Sequence, residues 1–242
     1  MQTFLLAAGL GTRLKPLTDT MPKALVPVAG IPLLRLISQK LIQSGTQRIV
    51  INAHHFANQI IEFVNKEEWD IDVVISHESE QLLDTGGGLR KAQSLFLPDM
   101  PILIHNVDIL SNANLQDLVA AHHGNDVTLL VSERKTNRYL LFNENMRLVG
   151  WTNIQTGEVR SPYPNLDLSQ CRKLAFSGIH VFSPTLFPLM NDYPEKFPII
   201  NFYLNHCHKL NIYGITQPEL QLLDVGKCDA LAEAEVFYKT LC

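Results

Sequence analysis

The chain has 242 residues, 46% of them hydrophobic, and a formal net charge of -4. That is enough apolar material for the core of a large α/β domain, and the mild acidity argues against the basic footprint of a nucleic-acid binder. No run approaches the ~20 apolar residues needed to cross a bilayer, and the apolar start at Phe4–Ala8 lacks the basic flank and length of a signal peptide. Cys171, Cys207, Cys228 and Cys242 show no CxxC spacing, so free thiols in a cytoplasmic protein are expected, with no membrane or nucleic-acid partner.

In chain order, an apolar strand over about Thr3–Ala7 breaks at Ala8-Gly9 into a small-residue loop. The loop leads to two cations, Arg13 and Lys23, each close to a proline, Pro16 and Pro22. Small residues after a strand let backbone amides approach a ligand closely. Two cations beside them point to a ligand with several negative charges, such as a triphosphate. Val26–Pro32 reads as a short extended piece and turn, and Leu33–Ile42 as a helix stopped by Ser44-Gly45. Arg48–Asn52 reads as a buried strand, Phe56–Val64 as a helix and Asp72–Ser76 as a strand. Asp84–Gly88 opens a helix reaching about Phe96, and Pro101–Asn106 is a strand that delivers Asp108 at its carboxyl end. Asn114–His123 follows as helix and Val127–Ser132 as strand. Such alternation predicts a mostly parallel sheet covered on both faces, with ligands at the carboxyl ends of the strands.

Beyond about residue 133 the pattern changes. Tyr139–Phe142 and Leu148–Trp151 look like short antiparallel strands around an Asn143-Glu144-Asn145 turn. The segment 152–172 has no periodicity and reads as a loop or partly mobile flap. Ala175–Phe182 returns to strand, and Ser183 caps a short helix to about Met190 with Pro184 at its first position. Ile199–Cys207 is expected to be helical, Asn211–Ile215 and Leu220–Val225 strands, and Asp229–Lys239 a closing helix. With no repeat and no linker, a single domain over 1–242 is expected, with a nucleotide half (about 1–132) and an acceptor half (about 133–242).

Two familiar phosphate loops do not fit. A leucine, Leu14, stands where the dinucleotide fingerprint needs its third glycine, and no Gly-Lys-Ser/Thr closes a P-loop. The full stretch is more specific: LAAGLGTRL at 6–14, PLT at 16–18 and PKAL at 22–25. It closely resembles the signature of sugar-nucleotide pyrophosphorylases, nucleotidyltransferases that join a sugar 1-phosphate to a nucleoside triphosphate. Further similar pieces lie near the middle and end of the chain. The resemblance implies an α/β fold of Rossmann-like type: three layers α/β/α, a mixed but mostly parallel central sheet, and a small antiparallel subregion on the acceptor side. It is strongest to short members resembling N-acetylmuramate-1-phosphate uridylyltransferases (UTP) and mannose- or heptose-1-phosphate guanylyltransferases (GTP). A phosphocholine cytidylyltransferase and a non-catalytic nucleotide-sugar-binding regulator are the alternatives, the last motivated by atypical residues at Val107 and Lys227.

Transfer of this kind is an in-line attack on the α-phosphorus by an oxygen already ionised at pH 7, so alignment and charge neutralisation matter more than a general base. The resemblance implies Mg2+ held by Asp108 and Asp224. Asp108 lies in an Asn-Val-Asp context where relatives carry Asn-Gly-Asp; Asp224 lies in a looser match, Leu-Asp-Val-Gly-Lys. Arg13 is implied to bind the β- and γ-phosphates and Lys23 to neutralise charge at the α-phosphate. Leu6, Ala7, Ala8, Gly9, Leu10, Gly11 and Thr12 are the implied nucleotide contacts around the loop. Glu78, Asp84, Thr85, Gly86 and Gly87 are implied at the base, Asp84 standing where a glycine is commoner. Asn106, Gly178 and Asn201 are implied at the sugar. The partners expected are a nucleoside triphosphate and a sugar 1-phosphate, and the protein itself a monomer or homodimer. Lys91, Arg134 and Arg138 are candidates for the acceptor phosphate, with nothing in the sequence to choose among them. The histidine pairs at 54/55 and 122/123 and the His206-x-His208 pair lack a third zinc ligand and read as structural or surface residues.

Overall fold

The computed structural model describes every residue except Cys228 and Cys242. Cys171 and Cys207 are free thiols; the expectation for the other two cysteines falls outside the described residues. β1 (Gln2–Leu6) runs into the small-residue loop. β2 (Pro27–Val28) and β3 (Ile31–Pro32) form the turn expected at 26–32, reversing at Ala29 and Gly30. Then come α1 (Leu33–Gln43), β4 (Arg48–Ala53), α2 (Ala57–Lys66), β5 (Asp72–His77), α3 (Asp84–Lys91) and β6 (Ile102–Asn106). A short strand that the sequence reading lacked, β7 (Ile109–Ser111), follows Asp108. α4 (Leu115–Ala120) is capped by the Asn114 side chain, which accepts from the amides of Gln116 and Asp117. The chain continues with β8 (Val127–Ser132), β9 (Arg138–Phe142), β10 (Leu148–Asn153), β11 (Glu158–Arg160), β12 (Arg172–Phe182), α5 (Ile199–His206), β13 (Ile212–Ile215), β14 (Leu222–Asp224) and α6 (Ala230–Leu241).

β1 lies between β4 and β6, parallel to both, and β5 extends the sheet beyond β4. The order β5-β4-β1-β6 reverses direction at β1, which opens a crevice at the carboxyl ends of β1 and β6. β12 runs antiparallel to β6 and to β8, and β8 carries β13 in parallel, so the sheet is mixed and mostly parallel in its centre, as expected. Alternation along the strands separates two apolar clusters. Leu5, Ile49, Ile51, Leu103 and Val181 pack with α1, α2, α4 and α6 on one face, and Phe4, Val50, Ile102, Ile104 and Phe182 with α3 and α5 on the other. Each fully buried Leu, Ile or Phe contributes about 1.5–3 kcal/mol by leaving water. Among the described residues, no helix is long and apolar enough to cross a membrane.

Three expectations need correction. The segment 152–172 is not a structureless flap: β10 runs on to Asn153, turns at Gly157 (φ 72°) and pairs antiparallel with β11. β11 is exposed throughout, so only backbone pairing makes it a strand and no apolar period betrays it. β12 starts at Arg172 because its first residues pair with β9, joining the antiparallel subregion to the central sheet. Pro184–Met190 is a 3-10 helix interrupted by Pro188, and the Ser183 hydroxyl contacts that of Thr185 at 2.8 Å instead of capping.

Two histidines lie inside this sheet. His180 is wedged between Phe176 and Tyr203, at ring-centroid distances of 5.3 and 5.5 Å. Burial pushes its pKa down to about 3, with the charge of His105 a smaller cause. His105 is pushed to about 4, again first by burial; its hydrogen bond to the Asn106 carbonyl opposes the shift and Lys40 adds to it. An unfolded histidine gains its proton near pH 6.5, the folded ones only near 3–4, so falling pH favours the unfolded chain across that window. Stability is expected to decline as pH drops below about 6.5, with up to about 1.4 kcal/mol per pH unit from each histidine. His180→Phe should flatten the decline between pH 6.5 and 4 in urea midpoints measured against pH; an unaltered slope would refute this.

Candidate active site

The loop leaving β1 is built by hydrogen bonds as much as by glycine. Asn52, at the carboxyl end of β4, accepts from the amides of Ala7 at 2.7 Å and Ala8 at 3.3 Å. Its own amide donates to Glu78 Oε1 at 2.7 Å, and Glu78 Oε2 accepts from the Leu83 amide at 2.8 Å. Glu78 is therefore an internal strap, 1% exposed, with each carboxylate oxygen accepting a hydrogen bond from the protein. The amides of Gly9, Leu10, Gly11 and Thr12, next along the loop, have no hydrogen-bond partner among the described residues. Gly11 has φ 64°, and an added Cβ would lie 2.8 Å from Thr18 Cγ2 and 3.1 Å from Lys23 Cβ. The Thr18 hydroxyl donates to the Gly11 carbonyl at 2.8 Å, locking the bend onto the 3-10 turn Leu17–Asp19. Thr12 and Arg13 form the 3-10 turn directly after it. Leu6 ends β1 and Leu10 is exposed at the tip of the loop.

Two carboxylates converge on the same loop. Lys23 pairs with Asp108 in an enclosed contact, Asp108 being 7% exposed. Arg13 Nη2 lies 3.7 Å from Asp224 Oδ2 in a half-exposed pair. The acids are distant in sequence but adjacent in space: Asp224 pairs with Ile109 across the β7–β14 ladder, and the Val225 amide donates to the Asp108 carbonyl at 2.8 Å. Gly226 makes room beside them, since a Cβ there would lie 2.5 Å from Asp224 Oδ1 and 2.6 Å from Arg13 Nη2. Val107 replaces a glycine without disturbing this arrangement. Its φ is not left-handed, its side chain lies in the core with Leu5, and its amide donates to the Leu6 carbonyl at 3.1 Å.

The remaining expected residues separate into groups. Asn106 and Gly178 meet: Gly178 has φ 80°, and a Cβ on it would lie 2.7 Å from Asn106 Nδ2. Asp84 has φ 63°, which explains why a glycine is commoner there and why an aspartate is among the tolerated replacements. Its neighbours are turned toward α5. Thr85 Oγ1 accepts from the Ile199 amide at 2.8 Å, and the Gly86 and Gly87 amides share the Phe197 carbonyl. Gly86 and Gly87 lack side chains because Phe197 and the Glu195 carbonyl occupy that space, so the glycine run packs closely against residues 195–197. Asn201 stands on α5 with its side chain 3.5 Å from Arg160 Nη1, in a cavity with Val159, Ser161 and Pro162, not with Asn106 and Gly178.

A cavity of about 720 Å³ lies beside Arg13 and Asp224 and is also lined by Arg134, Arg138 and Lys227. Lys91 lines a different cavity, with Pro98 and Phe187. Thus Arg134 and Arg138 share a chamber with the loop cation and Lys91 does not. The sequence reading missed Asn52 and Thr18; for Asn52 the available signal was a polar residue closing an otherwise apolar strand. Among the described residues no three His, Cys, Asp or Glu side chains gather as a metal cluster. Two hard carboxylates, Asp108 in the turn between β6 and β7 and Asp224 ending β14 beside it, nonetheless fit Mg2+, which takes few protein ligands and completes its shell with phosphate oxygens and water.

Comparison with known proteins accords with this geometry. Residues 2–140 match the family model described as nucleotidyl transferase. The chain is 30% identical over 241 residues to the N-acetylmuramate alpha-1-phosphate uridylyltransferase of Caulobacter vibrioides, covering 95% of this chain and 93% of that one. It is 33% identical over 138 residues to the mannose-1-phosphate guanyltransferase of Gibberella zeae, 55% of this chain but only 38% of the fungal protein. The crystal structure of HddC from Yersinia pseudotuberculosis superposes with a TM-score of 0.77 at 21% identity, over 98% of this chain and 99% of that one. The chain belongs to the nucleotidyl transferase family.

Asn52→Ala is expected to leave the Ala7 amide and one Glu78 oxygen buried without a partner, at a cost of about 1–3 kcal/mol per group. Chemical denaturation would read that loss, and calorimetry with a nucleoside triphosphate should show weaker binding. A variant as stable as the parent would mean that water replaces the amide.

Proposed function

We propose that the chain transfers a nucleoside monophosphate from a nucleoside triphosphate to a sugar 1-phosphate. An oxygen of the sugar phosphate forms a bond to the α-phosphorus as the bond from that phosphorus to the bridging β-phosphate oxygen breaks. Pyrophosphate leaves with the bonding electrons, and no proton has to move. The observation carrying this reading is the convergence of two carboxylates distant in sequence, each on one cation of a single loop.

In this reading the free amides of Gly9–Gly11 and the guanidinium of Arg13 hold the β- and γ-phosphates, and Arg13 stays with the departing pyrophosphate. Lys23 leaves Asp108 for the α-phosphate, where negative charge is concentrated during transfer. Asp108 and Asp224 would hold Mg2+, which when bound would neutralise phosphate charge. Asn106 and Gly178 line the sugar side. The chamber that joins Arg13 to Arg138 and Asp224 draws on both halves of the chain, which supports a single functional unit. UTP with N-acetylmuramate 1-phosphate is the pair taken from the relative that aligns along nearly the whole of both chains. GTP with mannose 1-phosphate comes from one that aligns over about half of this chain and stands second. The regulator reading loses its motive, since Val107 is a core residue and Lys227 leaves both carboxylates in place.

The test is pyrophosphate release with Mg2+ from five nucleoside triphosphates, each paired with N-acetylmuramate, N-acetylglucosamine, mannose and heptose 1-phosphates and phosphocholine. UTP with a sugar 1-phosphate should lead, and silence from every pair would overturn the proposal. Asp108→Asn is expected to cut turnover by orders of magnitude. Because Lys23 is enclosed with that carboxylate, it should also cost about 1–3 kcal/mol of stability, in contrast to the fold-neutral change that a surface aspartate would give.

A further inference from the structure

Another cavity, of about 740 Å³, shares no lining residue with the chamber beside Arg13. It is bounded by α1, the end of β7, the start of α4 and the end of α6, with side-chain amides of Gln39, Asn112 and Gln116 in its wall. Lys40 on α1 is the one charged side chain among the described residues that line it. Its Nζ donates to the Ser111 carbonyl and, at 3.2 Å, to the Ser111 hydroxyl. Those acceptors account for two of the three positions on the nitrogen. No further acceptor and no carboxylate meets it among the described residues. The third position, a proton in the ammonium and a lone pair in the amine, is left to an occupant of the cavity. A partly buried ammonium held only by neutral oxygens is poorly compensated, and burial lowers the Lys40 pKa to about 8. On β6, His105 feels the charge of Lys40 but is itself neutral above about pH 4. Tyr238 on α6 is the other titratable side chain lining the cavity.

We propose that Lys40 is a covalent acylation site, whose neutral amine takes the acyl group of an activated donor, an acyl phosphate or acyl thioester, entering this cavity. The Nζ lone pair forms a bond to the acyl carbon. The bond from that carbon to the phosphate oxygen or the thiol sulfur breaks, and the leaving group keeps its electrons. Nζ sheds one proton to water, and an amide remains. At pH 7.5 roughly a quarter of amines with such a pKa are neutral, against roughly 0.1% of ordinary lysines. A weaker base is also a weaker nucleophile, which takes back part of that advantage and leaves about tenfold. The amine stands on the support of the two carboxylates, since Ser111 pairs with Leu222 in the ladder where Ile109 pairs with Asp224.

The experiment treats the full chain with acetyl phosphate or with S-acetylpantetheine from pH 7 to 10 and follows each lysine by peptide mass spectrometry. At pH 7.5 Lys40 should be acetylated at least about tenfold faster than the exposed Lys91, with its rate reaching half its plateau near pH 8. Labelling of this kind by either donor supports the site, and the faster donor identifies phosphate or thioester as the source. In concentrated urea the preference should vanish, and Lys40→Arg should remove the label while keeping a cation for Ser111. Labelling of Lys40 no faster than of Lys91, or a rate still climbing about tenfold per pH unit between pH 8 and 10 as for an ordinary lysine, would overturn the proposal. Neither result bears on nucleotidyl transfer, which the measurement does not use.

Discussion

Much of the site depends on one amide side chain. A parallel sheet delivers its strands to a common edge but does nothing to bind their ends together. Asn52 does so here, accepting from the end of β1 and donating to the strap that follows β5. Glu78 passes the connection to Leu83 and thus to the start of α3. Both partners are almost fully enclosed, so each hydrogen bond is sheltered from competing water, and loss of any one would strand a polar group in an apolar wall. With Ala7 and Ala8 tied back, the next amides project from a fixed floor instead of a mobile loop.

The two cation–carboxylate pairs on that floor differ in kind. Lys23 and Asp108 are each largely shielded from solvent, so salt screens them little and a ligand must offer a full replacement for the contact. Arg13 and Asp224 are about half exposed and 3.7 Å apart, a weak and screened pair that a polyphosphate displaces easily. Arg13 is therefore the accessible hand of the site and Lys23 the reserved one. Both acids keep the cations oriented before any ligand arrives, which lowers the ordering cost of binding.

Strong periodicity and the specific run at 6–25 made the parallel half of the fold, the family and the cation pair legible from sequence. The residues that failed to declare themselves did so for physical reasons. β7 is only three residues long and β11 has no buried face, so neither carries a period long enough to detect. Asn52 and Glu78 look like ordinary polar residues at strand ends, and only the folded chain shows that they face each other. Gly86 and Gly87 matched a ligand-binding pattern, yet the space a side chain would need is filled by residues 195–197, more than a hundred positions away. Asp84, by contrast, carried its constraint openly: a left-handed backbone where glycine is usual.

The outer border of the antiparallel subregion has a consequence of its own. β11 ends the sheet path with one side unpaired, the kind of edge on which another chain's strand can be laid. Its residues are Glu158, Val159 and Arg160; the charged pair closes on itself and on the face of Trp151. An incoming strand would have to dehydrate both charges and gain little apolar contact in return, so this border resists amyloid-like growth.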